Sequence, residues 1–181
     1  MGNRADVVQP KDQPTLELEI RDATEEDAID MAPHLRQADR NEIAAHSGAR
    51  PIDALCHGVR MSDRPKVVLY RDKPAAIFGL VSLRGVDDAL GWPKGSPALD
   101  GAVWLLGTDQ VQVFSRQFLR WSRQWLAETS VGYSCVGNMV DLRNYVHVRW
   151  IEWLGFKFID NITYGPEGRT FLRFYKEVDS V

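Results

Sequence analysis

Polar and apolar positions alternate with period two from Thr15 to Arg21, setting Leu16, Leu18 and Ile20 against Glu17, Glu19 and Arg21. That pattern predicts a half-buried strand. Thr24-Glu-Glu-Asp27 then reads as a capping box with acidic groups in the first helical turn, where the helix dipole favours them. Ala28, Ile29, Ala32 and Leu35 continue this helix, and Pro33 must kink or divide it. A second helical piece covers Ala38–His46 and stops at Gly48, and Pro51 opens a third. Lys66–Arg71 and Pro74–Leu83 form a hairpin around Asp72-Lys73-Pro74, and the near-continuous apolar run of its second strand places it in a sheet centre. Residues 85–100, rich in Gly, Pro and Asp, read as a surface loop.

The second half changes period more often. Ala102–Leu106 is a further central strand. Phe114, Phe118, Trp121 and Trp125 recur at helical spacing, giving a helix over Ser115–Glu128 with Ser115 as its cap. Tyr133–Val136 is a strand. After it Asp141 is placed to cap a helix whose face of Leu142, Val146, Trp150, Trp153 and Leu154 packs on a core. Gly155 supplies the left-handed residue past that helix. Phe156–Thr163 and Arg169–Tyr175 close the chain as a hairpin around Gly165-Pro166-Glu167-Gly168. Residues 1–14, polar with Pro10 and Pro14, read as a flexible arm, and residues 15–181 as one domain. The element order predicts an α/β (α+β) sandwich.

Composition narrows the function classes. A hydrophobic share of 44% supports a sizeable core, and a net charge of −3 gives no general attraction to nucleic acid or anionic membranes. No run approaches the length of a membrane span, and no signal peptide is visible at the start. Cys56 and Cys135 lack metal-ligand spacing, so no metal is expected and a reducing cytoplasm suits them. Phosphate-loop, zinc-protease and nucleophile-elbow motifs are all missing. The six Trp, five of them between Trp104 and Trp153, read first as core packing and second as a contact surface for a protein partner.

Asn144, followed eleven residues later by Gly155-Phe156, resembles the last motif of the GNAT acyltransferase fold. Leu35-Arg36-Gln37-Ala38-Asp39-Arg40-Asn41-Glu42-Ile43, Trp104-Leu-Leu-Gly-Thr108-Asp109 and Val140-Asp141-x-x-Asn144 with Arg149-Trp150 occur in order. That series resembles the GNAT-related internal virion proteins of short-tailed bacteriophages, over roughly Ile20 to Tyr175. The resemblance implies a mixed, centrally splayed sheet flanked by helices on both faces. It also implies a role in virion assembly, with other virion or head-core proteins as partners and the host cytoplasm or the virion as location.

The same resemblance marks where chemistry would sit. A GNAT enzyme holds its cofactor's pyrophosphate on backbone amides at a helix start, through a glycine-bearing loop. Here Gln112-Val113-Phe114-Ser115-Arg116-Gln117-Phe118 has no glycine, and its large side chains are expected to crowd a phosphate. Val113, Ser115, Arg116 and Asn144 are the cofactor-binding candidates. The superfamily's Tyr proton donor is replaced by Ile151, leaving His147 on the Asn144 face as a substitute and Asp109 as a candidate base. Asp39 and Glu42, three apart on one helix, form a second acidic pair able to face a cleft. The expectation is a virion protein on a degenerate GNAT fold that requires no cofactor. The alternative is a working N-acyltransferase dependent on acetyl-CoA.

Overall fold

The structure is a computed structural model that describes residues 17–86 and 89–178. The expected arm at 1–14 lies outside the described residues. Seven strands build one mixed sheet: β1 Leu18–Asp22, β2 Ser62–Tyr70, β3 Lys73–Ser82, β4 Gly101–Gly107, β5 Cys135–Asp141, β6 Lys157–Tyr164 and β7 Arg169–Glu177. Their spatial order is β1-β2-β3-β4-β5-β7-β6, antiparallel throughout except for the parallel pair β4–β5. The five α-helices are α1 Glu25–Met31, α2 Gln37–Ser47, α3 Pro51–Met61, α4 Ser115–Thr129 and α5 Tyr145–Trp153.

Strand pleating sorts the core into two layers. Val67, Leu69, Ile77, Trp104 and Leu106 face α1, α2 and α3. Val68, Ala76, Phe78 and Leu105 face the other way, onto Phe114 and Phe118 of α4. Further along that second face, Val136, Val140 and Phe174 pack with Leu126 of α4, Ile151 of α5 and Leu154 just past its end. No helix among the described residues is long and apolar enough to cross a membrane.

Local signals account for most boundaries. Thr24 and Asp27 form the expected capping box, and Pro33 turns the end of α1 into a short 3-10 segment, Ala32–His34. Two expected caps are different. Phe114, not Ser115, occupies the position before α4, without a side-chain cap. Asp141 ends β5 instead of capping α5, because its carboxylate is taken by the Arg143 backbone N–H at 2.9 Å and by the Arg143 guanidinium. Strand β5 runs five residues past the expected Val136, carrying Asn138 and Asp141 inside the sheet. Gly155 has φ +83°, as the end of α5 requires.

The expected inner face of α5 is corrected in part, since Trp150 and Leu154 do pack in the core. Leu142, Val146 and Trp153 are exposed, whereas His147 and Ile151 are buried, along with Asn144 just before the helix. Polar groups on α5 are drawn inward by charged partners on α2.

The β6–β7 turn locks the end of α2. Gly165 has φ +72°, and a Cβ there would lie 1.8 Å from the Ala45 carbonyl oxygen and 2.8 Å from that of His46. Gly165→Ala is therefore expected to destabilise the chain by about 2 kcal/mol or more, combining left-handed strain with a backbone clash. Urea denaturation measures this, and an unchanged midpoint would show that the turn does not bear on α2.

Candidate active site in the sheet gap

Strands β4 and β5 pair only at Gly101↔Val136 and Ala102↔Gly137. The next register position sets Val103 opposite Asn138, and there the side chain replaces the ladder. Asn138 Nδ2 donates to the Val103 carbonyl at 2.8 Å, while its own Oδ1 accepts from the Met139 N–H at 2.8 Å. A backbone pair is thus bridged by a side chain, and beyond this wedge the strands part. Asn138→Ala should cost about 1–3 kcal/mol by stranding both backbone groups. A melt like the wild type's would remove Asn138 as the cause of the gap.

Past the wedge, β4 has a bare edge. Thr108 N–H donates to Ala75 O on the β3 side at 2.8 Å, whereas Gly107 turns to the opposite edge. Its N–H reaches Asp39 Oδ2 at 2.8 Å and its carbonyl accepts the Arg36 N–H at 3.0 Å. Alternation places the Leu105 N–H and C=O on that same edge. No strand pairs with them there, and no side chain among the described residues does so.

A buried polar brace closes the outer end of the gap. Arg36 Nε and Nη2 hold both oxygens of Asp39 at 2.9 and 2.8 Å, and Asp39 is fully buried. Asn144 Nδ2 reaches from the start of α5 to Glu42 Oε2 at 2.7 Å and to Asp39 Oδ1 at 3.3 Å. His147 joins through Nδ1, 3.0 Å from Asn144 Nδ2, and through Nε2, which contacts Arg36 Nη2. The brace ties α2, on one face of the sheet, to α5, on the other. Asp39, Glu42 and His147 bring ligand-type atoms within 4.8 Å of one another. The cation at Asp39 is the Arg36 guanidinium, which also contacts His147 and fills the Asp39 oxygens a metal ion would need.

A cavity of about 750 Å³ occupies the gap and reaches both faces. Glu42, His46 and Trp104 line it on the α2–α3 side, and Trp125, Trp150 and Ile151 on the α4–α5 side. Glu42 and His46 lie one helical turn apart on α2, so both side chains share its cavity face. Burial pushes the His46 imidazole below its ordinary value of 6.5, against the opposing pull of Glu42. The ring is therefore a neutral base at physiological pH. Sequence reasoning passed over His46, although the Glu42–His46 spacing of four was a usable signal.

The expected site residues are divided by the structure. Asn144 and His147 belong to the brace: Arg36 Nη2 can only donate, so His147 Nε2 accepts from it, and His147 is a holding group. Asp109 is exposed in a 3-10 turn, Asp109–Gln112, away from the cavity wall. Val113, Ser115 and Arg116 are exposed at the start of α4. The crowding expected there does not occur. Phe114 is fully buried and Phe118 nearly so, both turned into the core, which leaves the first-turn amides clear of them. Ile151, at the superfamily donor position, is buried against the cavity and donates nothing. Of the cysteines, Cys135 is inert: burial, then Asp100 and Glu177, push its thiol up to about 11.

These features match the residues an extended acyl carrier needs. The bare Leu105 edge is a strand-like partner for amides, and the first turn of α4 offers unpaired N–H groups, with Arg116 beside them, to a diphosphate.

No family model matches the chain, and no curated protein matches it by sequence. Solved structures do. Aminoglycoside acetyltransferase AAC(6')-Ib with coenzyme A aligns with a TM-score of 0.61 at 15% identity, over 89% of this chain and 95% of that one. A GNAT-family acetyltransferase from Streptococcus pneumoniae aligns at 0.55 and 13%, over 90% and 100%. The yncA protein of Salmonella typhimurium, solved with its cofactor acetyl-CoA, aligns at 0.59 and 12%, over 91% and 95%. The expectation that no cofactor is required is overturned here: structural neighbours carry coenzyme A or acetyl-CoA. The seven-stranded mixed sheet, parted between β4 and β5 and covered by helices on both faces, is the GNAT acetyltransferase fold.

Proposed function

We propose that this chain is an acyl-CoA-dependent N-acyltransferase whose proton-accepting groups stand on α2. The observation that carries the reading is the bare Leu105 edge in a gap open to both faces, with Glu42 and His46 at one mouth. Bound acyl-CoA would supply the activated thioester. Leu105 would hold the amides of its arm, and the first turn of α4 with Arg116 its diphosphate.

The chain's own residues then have distinct tasks. Arg36, Asp39, Asn144 and His147 fix the spacing between α2 and α5, so the mouth keeps its width. Glu42 has one oxygen held by Asn144, while its other oxygen has no partner among the described residues. Together with neutral His46 it takes the proton an acceptor ammonium must lose before its nitrogen can attack. Trp104 is pinned by its indole N–H donating to Ser62 Oγ at 2.7 Å, and it seats where Gly58 and Gly79 leave room. It forms a rigid wall beside the incoming amine.

The test supplies isotope-labelled acetyl-CoA to a lysate containing the purified protein and follows the label by intact mass. Labelled acceptor is expected with wild type and absent with Glu42→Gln. Label that enters no acceptor, or enters equally with both proteins, contradicts the reading.

A virion setting is the second reading. It rests on the sequence resemblance of three segments to the phage proteins; in the fold these segments meet, with Leu35 bridging Thr108 and Asn144 reaching Asp39 and Glu42. Mass spectrometry of purified particles detects the chain if this holds, and its absence from them refutes the setting while leaving the enzyme reading intact.

A further inference from the structure

Resting on the acyl-CoA reading, we propose that the Trp125 indole N–H is a ligand-holding donor, aimed at an amide carbonyl of the pantetheine arm. Trp125 Nε1 is buried and finds no acceptor among the described residues. Three other indoles are satisfied: Trp92 donates to Pro97 O at 2.8 Å, Trp104 to Ser62 Oγ at 2.7 Å and Trp150 to Ser122 Oγ at 3.4 Å. Buried donors without partners are rare, because each forfeits its hydration for nothing. Trp125 also lines the gap cavity.

Its placement suits an extended diamide. The Trp125 ring meets Phe78 edge-on, with centroids 4.7 Å apart and planes at 88°, and Phe78 is the register partner of Leu105. The indole therefore lies on the α4 side of the sheet at the level of Leu105, and both residues line the cavity whose other wall is the bare edge. An arm with two amides satisfies both features, one amide on the Leu105 backbone and the carbonyl of the other on the indole. A plain hydrocarbon ligand would leave both unpaired.

Two measurements test this. Calorimetry compares coenzyme A and 3′,5′-ADP, which lacks the arm, on wild type and Trp125→Phe. Coenzyme A should bind the variant about tenfold more weakly, the order expected when a buried carbonyl loses its donor, while 3′,5′-ADP binds both alike. Nitrogen-15 NMR of the wild type covers a variant that folds poorly. On addition of coenzyme A the Trp125 indole proton should move downfield, while those of Trp92 and Trp104, already bonded, stay in place. Equal coenzyme A affinity for both proteins, an equal loss for 3′,5′-ADP, or a stationary Trp125 resonance with coenzyme A bound would overturn the assignment. A wild type that binds no coenzyme A would instead bring down the acyl-CoA reading itself.

Discussion

Asp39→Asn is expected to lose about 3–5 kcal/mol of stability, the cost of breaking a buried pair and leaving its partner unpaired. The wild-type carboxylate accepts four N–H groups: two from Arg36, one from Gly107 and one from Asn144. An amide keeps the shape but has one accepting oxygen and sets its own NH₂ against these donors. Arg36 then sits nearly enclosed beside His147 without its counter-charge. The loss is a large fraction of the ~5–15 kcal/mol that holds a typical domain together. Guanidinium denaturation measures it, with Glu19→Gln on the exposed side of β1 as a control expected to change little. A midpoint equal to wild type would show that the brace does not hold α2 to α5.

Glu42→Gln should do the opposite: little effect on folding and a loss of about 10²–10⁴-fold in acyl transfer, the range that general-base catalysis supplies. Glu42 is partly exposed at the cavity mouth, and the amide oxygen can still accept from Asn144. The pH dependence separates its partner. His46 must be deprotonated to accept a proton, and burial holds its pKa below 6.5, so the acid limb of kcat/KM lies below that value. His46→Gln should remove this limb. The linkage to stability has the same direction. Between the lowered folded value and 6.5 the unfolded chain binds the proton that the folded chain refuses, so stability falls as pH drops through 6.5 and levels off below the folded value. His46→Gln should flatten that segment of the curve, and a curve that keeps its slope would place the titration elsewhere.

The elements were legible because their apolar periods are clean. The Thr24 box, the Pro33 break and the Gly155 stop each act through their own backbone, so local sequence suffices. The gap was not legible at its source. Asn138 reads as a turn residue, yet it sits inside β5 and takes over a ladder bond, a role set by Val103 thirty-five residues earlier. The face of α5 was read only in part, with Trp150 and Leu154 packing inward as expected and the rest displaced for a related reason. Apolar periodicity turned Leu142 and Val146 inward, but Asn144 and His147 have charged partners more than a hundred residues away, which the pattern cannot weigh. Phe114 and Phe118 show a third limit: sequence gives the size of a side chain and not its direction. Their bulk was expected to obstruct a phosphate, and it fills the core instead.

The central claim is that the gap between β4 and β5 holds an acyl-CoA. Calorimetric titration of the wild type with acetyl-CoA tests it most directly, with Leu105→Pro as the comparison, since proline removes the one N–H the bare edge can donate. Saturable one-site binding in the micromolar range, weakened at least tenfold in a folded Leu105→Pro protein, is the expected result. No binding by the wild type, or equal binding by both proteins, would contradict it.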